Sequence, residues 1–250
     1  MTSNANKAAV VTGASTGIGE ATVKALRAEG WTVFGVARRA DRLAALAEAT
    51  GAVAIPADIT ADGDVSSLLA AVTEAGGIDT LVNVAGGARG ADTFAEADTE
   101  GWEWMFQVNV IGTMKITRAF LPMLRESGQG TVLNVTSTAG LTAYEGGAGY
   151  NAAKFAERAF TNALRLEEAE HNVRVIEVAP GLVHTEEFAL NRLGDSAAAA
   201  KVYQGVANPL TAEDVADVLR YAVTAPHHVN LDQIVIRPLA QPANHKLIRN

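Results

Sequence analysis

The chain has 250 residues, 48% of them hydrophobic and 19% charged, which supplies enough apolar surface for a large core and too little charge for disorder. A net charge of −8, with no basic run to offset it, excludes nucleic acid as a partner, and the absence of cysteine excludes disulfides, thiolate metal sites and a cysteine nucleophile. Residues 1–7 lack the charged and apolar sections of a secretory signal, and no apolar run approaches the ~18 residues of a membrane helix, so a cytoplasmic chain with no membrane partner is expected.

In chain order, short apolar runs at 8–11, 31–36, 52–56, 80–82, 131–135, 173–178 and 234–236 read as buried strands. Between them, apolar residues recur every three or four positions over 20–28, 41–49, 64–74, 102–124, 152–170 and 212–223, which predicts helices. This alternation predicts right-handed βαβ units in one α/β domain spanning 1–250. The expected architecture is a Rossmann fold, a doubly wound, mostly parallel sheet of about seven strands flanked by helices. Gly30 and Gly51 read as helix stops, and Asp41, Asp62 and Thr211 as helix caps. The stretch 186–210 is long for a connection and reads either as a lid over a substrate site or as a surface pair of helices, with Ala197 to Ala200 favouring helix.

Thr12-Gly13-Ala14-Ser15-Thr16-Gly17-Ile18-Gly19 follows the first strand and opens the first helix. Glycines placed there permit a tight reversal, close backbone approach to a pyrophosphate and close helix packing, while the helix N-terminus supplies free N–H groups for phosphate. Where an NAD site commonly carries a carboxylate for the ribose, this chain has Ala37 followed by Arg38 and Arg39. Two cations at a helix start oppose its dipole unless an anion neutralises them, and the 2′-phosphate of NADP(H) is such an anion, with Arg38 its first candidate. The alternative is a solvated helix start in which the arginines pair with Asp41 or Glu48. Asp58, with Ile59 beside it, either accepts from the adenine amino group or forms an Asx turn.

Tyr150 and Lys154 share one helix face at i,i+4 spacing, a pattern that by itself more often means a half-buried ring beside a solvated amine. Their setting adds meaning, because they follow Ser137 at the end of a strand and lie downstream of the phosphate turn. With Asn83-Val84-Ala85-Gly86, Asn109 and Pro180-Gly181-Leu182-Val183 in order, the chain resembles the short-chain dehydrogenase/reductase family over nearly its whole length. That resemblance implies catalytic roles for Asn109, Ser137, Tyr150 and Lys154. Tyr150 would exchange a proton with the substrate oxygen, Lys154 would hold the nicotinamide ribose, Ser137 would orient the substrate and Asn109 would hold a relay water. A phenol titrates near ~10, so exchange at neutral pH requires a nearby positive charge, and Lys154 supplies one.

Asn83 is expected to tie strands, Ala85 and Gly86 to let the backbone pass close to the cofactor, and Val183 and Thr185 to meet its carboxamide. Val84 departs from the family pattern, which usually has a second asparagine there. His184, His227 and His228 lack the spacing of a metal site, and no metal is expected.

The tail resembles the branch of NADP-dependent 3-hydroxy acid dehydrogenases acting on serine-like substrates, through Glu187-Phe188, Arg192, Tyr203-Gln204, Leu210-Thr211, Glu213-Asp214-Val215 and His228-Val229-Asn230. Arg192 suits a substrate carboxylate through bidentate pairing, with Arg89 its rival. A related branch reduces uncharged aldehydes and ketones, which gives a second substrate expectation for the carbonyl or alcohol. A non-catalytic NADP(H)-binding sensor is the different-class alternative, and such members tend to lose the Tyr and Lys pair. The resemblance also implies a homo-oligomer, a tetramer formed through helices 102–124 and 152–170 and the last strand.

Overall fold

The computed structural model describes residues 7–185 and 187–250. The expectation drawn from the leading segment therefore falls, for Met1 to Asn6, outside the described residues, as does Glu186 at the start of the 186–210 stretch. Seven strands, β1 (Ala8–Thr12), β2 (Thr32–Ala37), β3 (Val53–Pro56), β4 (Thr80–Asn83), β5 (Thr131–Val135), β6 (Arg174–Pro180) and β7 (Gln233–Ile236), form one sheet in the order β3-β2-β1-β4-β5-β6-β7. Every pairing between them is parallel.

The near-continuous apolar runs exist because both faces of this sheet are covered. Neighbours along a strand point to opposite sides, so Val11 joins Leu26, Val33, Leu133, Ile176 and Leu219 in one core. Val10 joins Phe34, Leu68, Leu81, Phe120 and Val132 in the other. The chain winds outward from β1 to β3, then returns to lay β4 on the other side of β1. Between the carboxyl ends of β1 and β4 lies a topological switch point, the crevice where such sheets bind ligands.

Helices α1 (Gly17–Ala28), α2 (Ala40–Thr50), α3 (Asp62–Glu74), α4 (Thr99–Phe106), α5 (Thr113–Glu126), α6 (Ala148–Glu168), α7 (Phe188–Leu193), α8 (Ser196–Tyr203) and α9 (Ala212–Thr224) complete the fold. The predicted helix over 102–124 is continuous from α4 to α5, but it passes through a π-helical turn, Gln107–Gly112. In that turn Asn109 Nδ2 donates to the Met105 carbonyl at 2.8 Å, the side chain competing with the regular backbone ladder. A widened turn leaves apolar spacing almost unaltered, so periodicity misses it. Within the stretch 186–210 the helix-pair reading is met by α7 and α8, and the α7 residues Phe188, Leu190 and Asn191 line the cavity at the switch point.

Two of the three expected caps are displaced. Asp41 and Asp62 sit inside the first turns of α2 and α3, whose capping residues are Arg39 and Ala61, and their carboxylates act on the helix dipole instead. Thr211 is a true cap: its hydroxyl accepts from Asp214 N at 3.1 Å, and Asp214 accepts from Thr211 N at 2.8 Å. Thr211→Ala removes half of this reciprocal box and is expected to cost about 1 kcal/mol. A thermal melt should then show Tm lower by roughly 2–4 °C, and an unchanged Tm would show that the cap contributes nothing.

Candidate active site

The phosphate turn is built by exclusion of side chains. Gly13 has φ +68°, and a Cβ there would stand 3.0 Å from Ala85 N; one on Gly19 would stand 2.3 Å from the Gly13 carbonyl. Thr12 Oγ1 accepts from Val84 N and Ala85 N, both at 3.0 Å, which locks the β4 loop to the turn. Among the described residues no side chain caps the first turn of α1, so its N–H groups remain for an anion. Gly13, Ser15, Thr16, Gly17, Ile18 and Gly19 all line a cavity of about 770 Å³ that extends from the switch point. Thr185 lies across the turn, its methyl group 3.3 Å from where a Gly17 Cβ would be.

At the β2 end of this cavity, Arg38 is exposed on the rim. Arg39 Nε and Nη2 donate to Ser15 Oγ at 3.2 and 3.0 Å, and Nη1 donates to Glu187 at 2.7 Å. Arg42 also reaches Glu187, at 3.1 Å. The carboxylate partner of Arg39 is thus Glu187, 148 positions away, and not Asp41 or Glu48 as the solvated alternative supposed. Their hydrogen bond raises the Arg39 pKa, while the same bond and the charges of Arg39 and Arg42 hold Glu187 below the usual carboxylate range. Asp58 and Ile59 form the adjoining wall. Asp58 Oδ1 accepts from Thr60 N at 2.9 Å and Thr60 Oγ1 at 2.7 Å, the Asx turn its position allowed. Burial pushes this carboxyl up, but the Thr60 bonds and the charge of Arg38 outweigh it and lower its pKa.

The four residues expected to carry chemistry stand beyond Gly86 and Gly87; none of them lines this cavity, and Tyr150 faces a second, smaller void. Gly86 is the meeting point: a Cβ on it would lie 2.5 Å from Asn109 Oδ1 and 3.6 Å from Lys154 Nζ. Asn109 is fully buried in the π turn, donates to the carbonyls of Gly87 and Met105 at 2.8 Å each, and accepts from Gly87 N at 3.1 Å. Its amide hydrogens are therefore used in fixing the wall beside Gly86, and what remains for a water is the second lone pair of Oδ1. Lys154 donates to the Val135 carbonyl at 3.2 Å and to Glu157 Oε2 at 2.6 Å, with its Nζ 5.9 Å from the centre of the Tyr150 ring.

Tyr150 lies in the first turn of α6 and is buried. Burial pushes its phenol pKa up, the Lys154 charge and a hydrogen bond with Ser137 pull it down, and Tyr144 and Glu157 work against ionisation. The net direction is upward. Ser137 has extended backbone, and its Oγ accepts from Ala139 N at 3.1 Å. Phe188 packs edge-on to the Tyr150 ring at 6.0 Å, and the Arg192 guanidinium lies 5.9 Å from the same ring. Arg192 is held by neutral oxygens, those of Gly90 at 3.0 Å, Tyr144 at 3.0 Å and Gly146 at 3.1 Å. A second, small void beside it is walled by Tyr150, Trp102, Met105 and Gly147.

Other expected site residues stand further off. Asn83 donates to Asn134 Oδ1 at 2.8 Å and Thr117 Oγ1 at 3.0 Å, tying β4 to β5 and α5 beneath the cavity floor. Pro180 ends β6, Gly181 N donates to the Ile236 carbonyl at 2.7 Å, and Val183 bridges to Leu210. These three residues support the segment that carries Thr185 and do not line the 770 Å³ cavity. Arg89 stacks on Trp104 at 4.2 Å and borders both spaces. His184 packs on Tyr203, and His227 bonds the Asn172 carbonyl at 3.0 Å. Among the described residues no three metal-ligating side chains converge, and no helix is long and apolar enough to cross a membrane. Sequence reasoning missed the roles of Glu187 and Glu157. The second had a signal, a carboxylate three residues after Lys154 on the inward face of a helix.

A glycine-edged anion cradle at a switch point, with the buried phenol of Tyr150, the buried ammonium of Lys154 and the half-buried hydroxyl of Ser137 beyond Gly86, fits a nucleotide-cofactor oxidoreductase acting on CH–OH groups. The chain belongs to the short chain dehydrogenase family, whose model matches residues 7–194. It is 52% identical to an uncharacterised oxidoreductase of Mycobacterium tuberculosis over 236 residues, 94% of this chain and 92% of that protein. A sulfoacetaldehyde reductase of Chromohalobacter salexigens is 36% identical, with 92% and 93% covered. Among solved structures, the closed form of a serine dehydrogenase complexed with NADP+ superposes with a TM-score of 0.91 at 35% identity, over 97% of this chain and 99% of that one.

Proposed function

We propose that this chain transfers hydride between NADP(H) and a small carbonyl or alcohol bearing an anionic group, a 3-hydroxy acid or a close analogue. The observation that carries the reading is the buried Tyr150, with Ser137 and Lys154 beside it, facing a small void that the Arg192 cation also lines. The turn 13–19 would hold the pyrophosphate, and Arg38, with Arg39 and Ser15, would hold the 2′-phosphate. The nicotinamide, when bound, supplies or accepts the hydride. The chain's own work is alignment and proton transfer. Tyr150 gives its proton to the carbonyl oxygen during reduction and takes one from the alcohol during oxidation. Ser137 orients that oxygen, and Lys154 stabilises the phenolate through its charge. Asn109, by fixing Gly87 beside Gly86, keeps the wall thin where the cofactor must pass.

Two relatives support an anionic substrate, since serine and sulfoacetaldehyde each carry an acid group close to the reacting carbon. Arg192 is the candidate receptor, delivered by α7 in the 186–210 substrate segment. A second reading, an uncharged aldehyde or ketone, is favoured by the hydrogen bonds that already occupy Arg192 and by the apolar walls of Trp102, Met105 and Phe188. Exposed apolar side chains on α5 and α6, among them Met114 and Phe155, support a homo-oligomer formed through those helices, a tetramer on this reading.

The test is a screen of NADPH oxidation and NADP+ reduction over 3-hydroxy acids, their oxo counterparts and neutral aldehydes. Turnover by an NADPH-preferring enzyme is expected, and no turnover of any class would overturn the reading. Arg192→Leu then separates the substrates: KM for the acids should rise roughly tenfold to a hundredfold, the worth of one charge-assisted bond, with neutral aldehydes little affected. An equal loss on both classes would remove Arg192 from recognition.

A further inference from the structure

Tyr150, Lys154, Glu157 and Thr161 follow one another along the inward face of α6, all of them buried. A hydrophobic residue is the ordinary occupant of such a face, yet Glu157 is only 1% exposed and stands 2.6 Å from Lys154 Nζ. An ammonium has three N–H donors. One goes to the Val135 carbonyl at 3.2 Å and one to Glu157, which leaves the third on the side of Gly86 and the cavity. Two fixed bonds thus set the direction of the third.

Other charged groups surround this pair. Glu177 on β6 is fully buried across from Glu157, and its oxygens accept from Thr136 Oγ1 at 2.8 Å and Gln233 Nε2 at 2.9 Å. Arg158 Nε lies 3.8 Å from the same carboxylate. Tyr150 and Tyr144 stand on the active-site side, with Arg192 over the Tyr150 ring. Removing Lys154 and Arg158 from this group would leave buried carboxylates without compensation, so the charges form one balanced set.

We propose that Glu157 is a positioning residue for proton transfer, a buried carboxylate that keeps the Lys154 ammonium charged and aimed at Tyr150 and the cofactor. Lysine in a dry site tends to lose its proton. Burial pulls the Lys154 pKa down, but the charge and hydrogen bond of Glu157 oppose it and the net direction is upward; burial also raises the Glu157 pKa, and there the charge and hydrogen bond of Lys154 are what favour the carboxylate. The same carboxylate works against ionisation of Tyr150, so it also moderates the pull that Lys154 exerts on the phenol. This inference rests on the assignment of Tyr150 and Lys154 as the proton-transferring pair.

The two functions of Glu157 give its neutral replacement a distinctive signature. In Glu157→Gln, Lys154 deprotonates more easily and, while still charged, favours the phenolate more strongly. Both limbs of the pH profile of kcat/KM for alcohol oxidation should therefore move to lower pH by about one unit or more. Glu157→Asp, which retains the charge, should return both limbs toward the parent. A filling role alone would lower the amplitude and leave the limbs in place, and that result overturns the proposal. Should Glu157→Gln fail to fold, the parent protein decides: the ε-carbon NMR signal of Lys154, one of six lysines, must titrate above those of the exposed lysines, and titration below them overturns the inference. Tyr150→Phe is assayed alongside. If it is inactive while the Glu157→Gln limbs stay fixed, only this inference fails; if it remains active, the assignment of the pair itself fails.

Discussion

Tyr150→Phe is expected to lower kcat by about 10²- to 10⁴-fold while NADPH binds almost as tightly as in the parent. The substitution removes one oxygen from a ring whose packing comes from Phe188, Ala153 and Met105, so the fold and the cavity keep their shape. What disappears is the group that exchanges a proton with the substrate oxygen. No neighbour replaces it: Lys154 is tied to Val135 and Glu157, and the Ser137 hydroxyl accepts from Ala139 N. Titration of NADPH fluorescence measures the binding half of the prediction and steady-state turnover the catalytic half. A variant that kept more than a tenth of the parent rate would remove Tyr150 from the chemistry. One that lost NADPH binding in proportion would make it a residue of the cofactor site instead.

Arg38→Ala is expected to weaken NADPH binding about tenfold or more and to leave NADH binding unchanged. One charge-assisted hydrogen bond contributes roughly 1.5–3 kcal/mol, and 1.4 kcal/mol is a factor of ten in affinity. Arg38 is the cation on this rim that is exposed and near Asp58, whereas Arg39 already serves Ser15 and Glu187. Arg39→Ala should therefore act differently, freeing Glu187 from one of its two arginines and loosening the segment that leads into α7. Competition binding with NADPH and NADH on both variants checks this. Equal weakening of both coenzymes by Arg38→Ala would assign Arg38 to packing or general charge, and an unchanged affinity for NADPH would point the 2′-phosphate to Arg39 alone.

Strands were legible to within a residue or two: the five inner ones cross a covered sheet, where burial on both faces writes an uninterrupted apolar run, and the more exposed edge strands β3 and β7 keep short apolar runs. The phosphate turn was legible because its glycines are dictated by backbone clashes, as at Gly19, that no side chain survives. The π turn was not, since one extra residue in a turn barely disturbs helical spacing. Cap positions at Asp41 and Asp62 failed for a related reason: an acid in the first turn and an acid at the cap satisfy the same dipole, and a shift of one or two residues separates them. Arg39 and Glu187 meet across 148 positions, and nothing local marks such a pairing. Glu157 was different, a charge on the inward face of the helix that already carried Tyr150 and Lys154.

The most direct test of hydride transfer follows the hydride itself. NADPH carrying deuterium at the transferable C4 position is incubated with the carbonyl panel, and the alcohol products are examined by mass spectrometry. One deuterium on the carbinol carbon is the predicted result, lost when Tyr150 is phenylalanine. Bound NADPH with no deuterium delivered to any product would contradict the assignment and leave the chain a binder of its cofactor.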